Sequence, residues 1–261
     1  MRRVSDWRSD KTASEFLSHD RADLAQEFLC RNSAYEREYH EAERLAEPAS
    51  SEHMVSLEAL AHRWGLSIPC SPDLSPLSHP AHWGSDFAPS VVILGVASFD
   101  TGPVIDALSR KAKSILADIM TSDGRHLVIT DGKRRHRLRL VHIADIEVAA
   151  YATTIQDTDQ VRLGATLEFN RWLHGSGPQL LKPPLLPTTY QRQRLVKLLR
   201  ISDAQTDCAS LRDLAYVIVF PHHWPIAGAA WRGSCERRTC LRLAAEARRL
   251  IQGDYRKLLA A

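Results

Sequence analysis

Five prolines between Ile68 and Pro89 (Pro69, Pro72, Pro76, Pro80 and Pro89) constrain this 261-residue chain more than any other feature. Each fixes φ and removes a backbone donor, so neither a helix nor a central strand can run through the stretch. It reads as an extended segment wrapped on a surface, with Trp83 and Phe87 as anchors. This segment separates residues 1–86 from 87–174. A second cluster, Gly175, Gly177, Pro178, Pro183, Pro184 and Pro187, acts as a hinge before 180–261.

The apolar spacing changes at these breaks. Ahead of the first, Ala22 to Asn32 places Leu24, Phe28 and Arg31 on one helical stripe with acids near its start, which suits the helix dipole. Tyr35 to Leu45 repeats the pattern with Tyr35, Tyr39 and Ala42, and Val55 to Trp64 is a third helix closed by Gly65. Beyond the prolines, Ser90 to Val96 reads as a buried strand. His126 to Thr130 and Lys133 to Val141 form a hairpin around Asp131-Gly132, a pair suited to a tight turn with positive φ. In its second strand His136, Leu138 and Leu140 alternate with Arg135, Arg137 and Arg139, a basic face suited either to phosphate or to protecting a sheet edge. Val161 to Leu173 is an amphipathic helix with Leu163, Leu167 and Trp172 turned inward.

After the hinge, helical signals return with their caps. Thr188 or Thr189 starts a helix over Tyr190 to Arg200, and Ser210 starts one over Leu211 to Phe220 that Pro221 ends. Ser234 starts a third over Cys235 to Gln252, ending at Gly253, and a short helix covers Tyr255 to Leu259. The fold class is therefore α+β: an N-terminal helical part, a small β-rich middle with a hairpin, and an all-α C-terminal part of helix-turn-helix kind.

Charge follows the same divisions. Residues 1–86 hold 9 basic and 15 acidic side chains, 87–170 hold 10 of each, and 171–261 hold 15 basic and 6 acidic. A chain acidic at one end and basic at the other offers surfaces for two kinds of partner, and the basic end suits a phosphate backbone. No apolar run approaches the ~18 residues of a membrane span, and no apolar core follows the charged residues at the N-terminus, so a cytoplasmic location is expected. Five scattered cysteines, none in a C-x-x-C pair, fit reduced thiols and give no support to zinc or any other cofactor.

The segment from Ser234 concentrates the basic signal. Arg238, Arg242 and Arg249 recur at spacings of four and seven, while Leu241, Ala244, Arg248 and Ile251 lie off that stripe. Ser234 and Arg237 sit at the helix start, where free amides attract phosphate. Arginine bonds guanine bidentately, so such a helix can read double-stranded DNA in the major groove. The preceding capped helix, "SLRDLA", supplies the order of a helix-turn-helix.

These residues carry a resemblance. "TYQRQRLVKLLRISDA", "ASLRDLAYVIVF" and "WRGSCERRTCLRLAAEARRLIQGDYRKLL" resemble the C-terminal domain of FseA-type excision activators of proteobacterial integrative and conjugative elements. "LAQEFLCRNSAYEREY", "LAHRWGL" and "WGSDFAPSVVIL" resemble their N-terminal regulator-like domain. The resemblance implies a transcription activator that switches on excision and transfer genes, with a variant helix-turn-helix. It places Ser234, Arg237, Arg238 and Arg242 on the recognition helix, Arg212 on the helix before it and Arg256 in a closing G-x-Y-R element. Arg249 and Lys257 complete the expected DNA contacts. The connector from Pro221 to Gly233 departs from the usual short turn of about 3–4 residues, and Trp224 and Trp231 are expected to pin it to the core.

Two other readings compete. The acidic N-terminal part, with aromatics such as Trp7 and Phe28, suits docking to RNA polymerase or a related regulator, which would make the chain an antiactivator-like interaction module without DNA; the arginines retained after Ser234 argue against that alone. A metal-dependent enzyme would need His222, His223, Cys235 and Cys240 to converge. Adjacent histidines diverge, and cysteines five apart on a helix point about 140° apart. No zipper-like heptad supports a dimer.

Overall fold

The computed structural model describes residues 6–9, 14–45, 51–97, 101–144, 149–153, 159–175 and 185–260. Most of the second hinge lies outside the described residues. The helices before the prolines are α1 (Arg21–Leu29), α2 (Ser33–Leu45) and α3 (Ser51–Trp64). Asp20 and Asp23 start α1 by reciprocal side-chain to backbone bonds of 2.9 Å each, satisfying amides a helix start leaves free. Asn32 separates α1 from α2, its Oδ1 accepting from the amides of Ala34 and Tyr35 at 2.9 and 3.3 Å. Pro69 to Pro89 runs as the proline content requires, touching the helical part through an isolated bridge between Leu66 and the buried Trp83.

The middle builds a five-stranded mixed sheet from β1 (Val92–Val96), β2 (Ser114–Thr121), β3 (Gly124–Thr130), β4 (Arg135–His142) and β5 (Ala150–Ala152), in the order β2-β3-β4-β1-β5. β1 and β4 run parallel with Val92 opposite Leu138; the other pairings are antiparallel. Helix α4 (Gly102–Lys111) and the strands β2 and β3 form the crossover between β1 and β4, and α5 (Asp159–His174) follows the sheet. Thr130 pairs with Arg135, so the hairpin loop has four residues rather than two. Only Gly132 takes positive φ, at +90°, while the Asp131 carboxylate accepts from the amides of Lys133 and Arg134 at 2.7 and 2.8 Å. The aspartate closes the turn mainly with its side chain, its own amide adding a longer bond of 3.3 Å to the Arg134 carbonyl.

Two apolar cores result. One side of the sheet, through Val92, Leu94, Leu127, Ile129, Leu138 and Leu140, packs on Leu108 of α4 and on Ala165 and Phe169 of α5. The spacing 165, 169, 172 turns Phe169 and Trp172 to the sheet and leaves Leu163 and Leu167 50% and 42% exposed, reversing the expectation for those two leucines. The other core joins the two ends of the chain. Leu24, Phe28, Leu29 and Tyr35 pack with Leu198, Ile201, Leu243, Ala247 and Tyr255. Each such side chain contributes roughly 1.5–3 kcal/mol on full burial. Polar links reinforce this union: the Trp7 indole donates to Asp207 at 2.8 Å, Arg200 Nε to the Trp7 carbonyl at 2.9 Å, Asn32 Nδ2 to the Ile251 carbonyl at 2.9 Å, and Tyr255 OH to the Trp64 carbonyl at 2.7 Å.

The arginines of β4 serve this assembly, correcting both expectations for that face. β4 is interior to the sheet. Arg137 donates to Asp20 and Asp23 at 2.7 and 2.8 Å, Arg135 pairs with Asp23, and Arg139 donates to the Ser85 hydroxyl at 2.8 Å and pairs with Asp123. A guanidinium buried in this way requires its carboxylates, and it is taken up inside the molecule.

Candidate nucleic-acid interface

The C-terminal helices start as their caps dictate. Thr188 and Gln191 form a capping box on α6 (Thr189–Thr206). Ser210 and Asp213 form another on α7 (Leu211–Asp213), and the Ser210 hydroxyl, donating to the Asp213 carboxylate at 2.7 Å, holds that carboxyl below its ordinary value. The chain continues as a wider turn, Leu214–Val219, in which the Phe220 amide reaches five residues back to the Ala215 carbonyl at 2.7 Å. Pro221 ends it.

The long connector contains a short helix, α8 (Gly228–Gly233), before α9 (Cys235–Gln252). Tyr216 ties the connector down: its hydroxyl accepts from the Ile226 amide at 3.0 Å and its ring lies 5.8 Å from that of Trp231. Trp224 is not a pin, contrary to expectation. It is 91% exposed, on the segment between Pro221 and Pro225.

α9 is built from one residue pattern read on two faces. Cys240, Leu243, Ala244, Ala247 and Leu250 are buried against α6, α7 and α1. Burial pushes the Cys240 thiol up to about 11, so it packs as a neutral side chain. Arg238, Arg242, Arg248 and Arg249 are exposed on the outer surface together with Leu241. Arg238 and Arg249 lie about 16 Å apart along the axis at 1.5 Å per residue. The two acids of this helix are engaged elsewhere: Glu236 faces His223 at 3.7 Å and Glu246 holds Arg194 of α6 at 2.6 Å. Among the described residues no carboxylate forms an ion pair with Arg238, Arg242, Arg248 or Arg249; Arg238 donates only to the Gly233 carbonyl, at 3.1 Å.

The remaining sequence candidates divide. Ser234 is the cap of α9, its Oγ accepting from the Arg237 amide at 3.1 Å and donating to the Trp231 carbonyl at 2.9 Å. Arg237 is half-buried at the first turn, and Arg212 is exposed on α7. After Gly253, whose φ of +143° stops α9, the 3₁₀ turn Asp254–Leu258 carries Arg256 and Lys257 away from the stripe. Arg256 donates to the Arg63 carbonyl and lies 5.1 Å over the Phe87 ring, joining the proline-rich segment to the C-terminus. Lys257 pairs with Asp254 at 2.8 Å. Arg232, exposed on α8 just before α9, has no sequence signal of its own, because its six-residue helix is bounded by glycines within a proline-containing connector. His222 and His223 are exposed on that connector, away from the buried Cys240.

Comparison with known proteins places these elements. Residues 152–260 match the protein-family model described as "T6SS, Transcription factor, DNA binding domain", and residues 6–69 match the "Proteobacterial transcriptional regulator-like domain". The first match takes in α5 as well as all helices after the hinge. No curated protein and no solved structure matches the chain. The chain thus carries a regulator-like domain at its N-terminal end and a DNA-binding domain at its C-terminal end. Among the described residues no helix is long and apolar enough to cross a membrane.

Proposed function

We propose that this transcription factor is an activator of a mobile genetic element of the integrative and conjugative kind, working in the cytoplasm by binding promoter DNA rather than by catalysis. The observation that carries the reading is the outer face of α9: four exposed arginines with no ion-paired carboxylate among the described residues, inside the stretch matched as DNA-binding. A helix held on its apolar side by α6 and α7 can offer the opposite side to the major groove, with Arg238 and Arg242 toward base edges and Arg249 toward phosphate. Arg212, Arg232 and the first turn at Ser234 and Arg237 flank it and suit backbone contacts. Activation further requires contact with RNA polymerase or release from an antiactivator protein, and we assign that contact to the acidic outer face of α2, where Glu41 and Glu43 are exposed.

Footprinting of the purified chain on the DNA upstream of its own gene, at two salt concentrations, tests the proposal. A discrete protected site that weakens steeply with salt is expected. Uniform, sequence-independent protection would reduce the reading to a general DNA coat, and absence of protection would leave the interaction-module reading.

A further inference from the structure

A second site lies away from α9, where the β3–β4 turn, the start of α1, α5 and the segment leading into α6 meet. A small cleft, open to solvent on one side and with about 50 Å³ of enclosed room, lies there. Val92, Ala165, Leu185 and Leu186 give it apolar walls, and Lys133 stands exposed at its rim.

Part of its polar lining lacks partners. Ser90 Oγ, Arg135 Nε, His136 Nε2 and Arg137 Nε are buried and make no hydrogen bond among the described residues. Ser90, His136 and Arg137 are 5%, 7% and 4% exposed, so solvent is poorly placed to replace a partner. An arginine Nε–H can only donate. The acceptors that line the cleft are already taken: Asp20 by Arg137 and by the Asp23 amide, and Glu168 by Arg134. The Nε–H groups of Arg135 and Arg137 and the Ser90 hydroxyl, left without partners beside apolar walls, are matched by oxygen acceptors carried on an apolar body.

We infer that this cleft binds the charged head of a small organic anion, a carboxylate or phosphate ester, with its apolar body resting against the open walls, as the effector of the regulator. The ligand would touch the regulator-like end through Asp20 and the sheet through β4. It would also touch the entry to the C-terminal helices through Leu185, whose carbonyl accepts from the Arg21 amide at 2.9 Å just ahead of the α6 cap. Occupancy of the cleft therefore acts on the junction between the two matched domains. The effector role rests on the DNA-binding reading; the binding site does not.

Titration calorimetry on the full chain with benzoate, phenyl phosphate and neutral benzamide tests the site. Saturable binding of at least one anion and none of benzamide is expected, with affinity falling at least tenfold in Ser90→Val and severalfold in Lys133→Ala, whose exposed side chain can be removed without disturbing the core. No saturable binding by either anion, equal binding of benzamide, or unchanged affinity in both variants overturns the site. Footprinting with and without the bound anion tests the effector role, with a change of at least threefold in DNA affinity expected. Anion binding that leaves DNA affinity unchanged overturns that role alone. If DNA is not bound at all, the effector role fails with the DNA-binding reading, while calorimetry still decides the cleft.

Discussion

Arg31 at the end of α1 and Asp203 in α6 form a buried, two-pronged ion pair, 2.7 Å from Nε to Oδ1 and 2.9 Å from Nη2 to Oδ2, across 172 positions of sequence. Glu27 supports it from one helical turn back. The pair fastens the regulator-like end to the DNA-binding end inside a shared core.

Removing one partner of a buried pair leaves the other charge unpaired. Arg31→Ala or Asp203→Ala is expected to cost about 3–5 kcal/mol, while Arg31→Met combined with Asp203→Leu costs much less than the sum. Urea unfolding of the three variants measures this. A loss in the double variant equal to the sum of the two single losses would show that the pair does not act as a unit.

On the outer face of α9 the expectation is the reverse. Arg238→Ala, Arg242→Ala and Arg249→Ala should change unfolding free energy by no more than about 0.5 kcal/mol each. Each arginine that meets phosphate should remove about 0.9 from the slope of log affinity against log salt. Fluorescence anisotropy with labelled duplex at several salt concentrations reads the slope; an unchanged slope in all three removes α9 from the interface.

Ser234 separates capping from contact. Ser234→Ala should lower stability by about 1 kcal/mol, and Ser234→Asp should restore it because a carboxylate also accepts from the helix amides. If Ser234→Asp recovers melting temperature but not DNA binding, the hydroxyl or its neutrality serves the DNA as well.

Acid should weaken the fold in two overlapping steps. Burial holds the His136 and His82 imidazoles down to about 4. Burial alone would raise the Glu27 carboxyl, but His19 facing it at 3.6 Å and the bonded Arg31 guanidinium outweigh it and bring the value down to about 2. All three groups have folded values below their unfolded ones. The histidines' contribution is complete above their unfolded value of 6.5 and is lost as pH falls toward 4, and that of Glu27 is lost from 4.5 toward 2. His136 alone represents roughly 3 kcal/mol, from 1.36 kcal/mol per unit. Urea midpoints between about pH 7.5 and 4 should fall, and His136→Phe should flatten part of the decline; a flat profile over that range contradicts the assignment.

Local chemistry was legible in the residues themselves. Thr188, Ser210 and Ser234 announce helix starts because a short oxygen-bearing side chain satisfies free amides two or three residues on, and Gly253 announces a stop because it accepts positive φ. The outward Arg238, Arg242 and Arg249 of α9 follow from periodicity, whereas Leu241 and Arg248, expected off that stripe, are exposed beside them. None of this depends on distant parts of the chain.

What covers each face does depend on them. Alternation in β4 separates Arg135, Arg137 and Arg139 from Leu138 and Leu140, but only the tertiary structure brings Asp20 and Asp23, more than 110 positions away, against the guanidiniums of Arg135 and Arg137. The same holds for Arg31 with Asp203, for Arg256 with the proline-rich segment, and for Trp224, whose bulk suggests an anchor and which stands in solvent between two prolines. Sequence pattern determines which way a side chain points; the pairing of charges and surfaces far apart in the chain is decided when the two ends condense into one core.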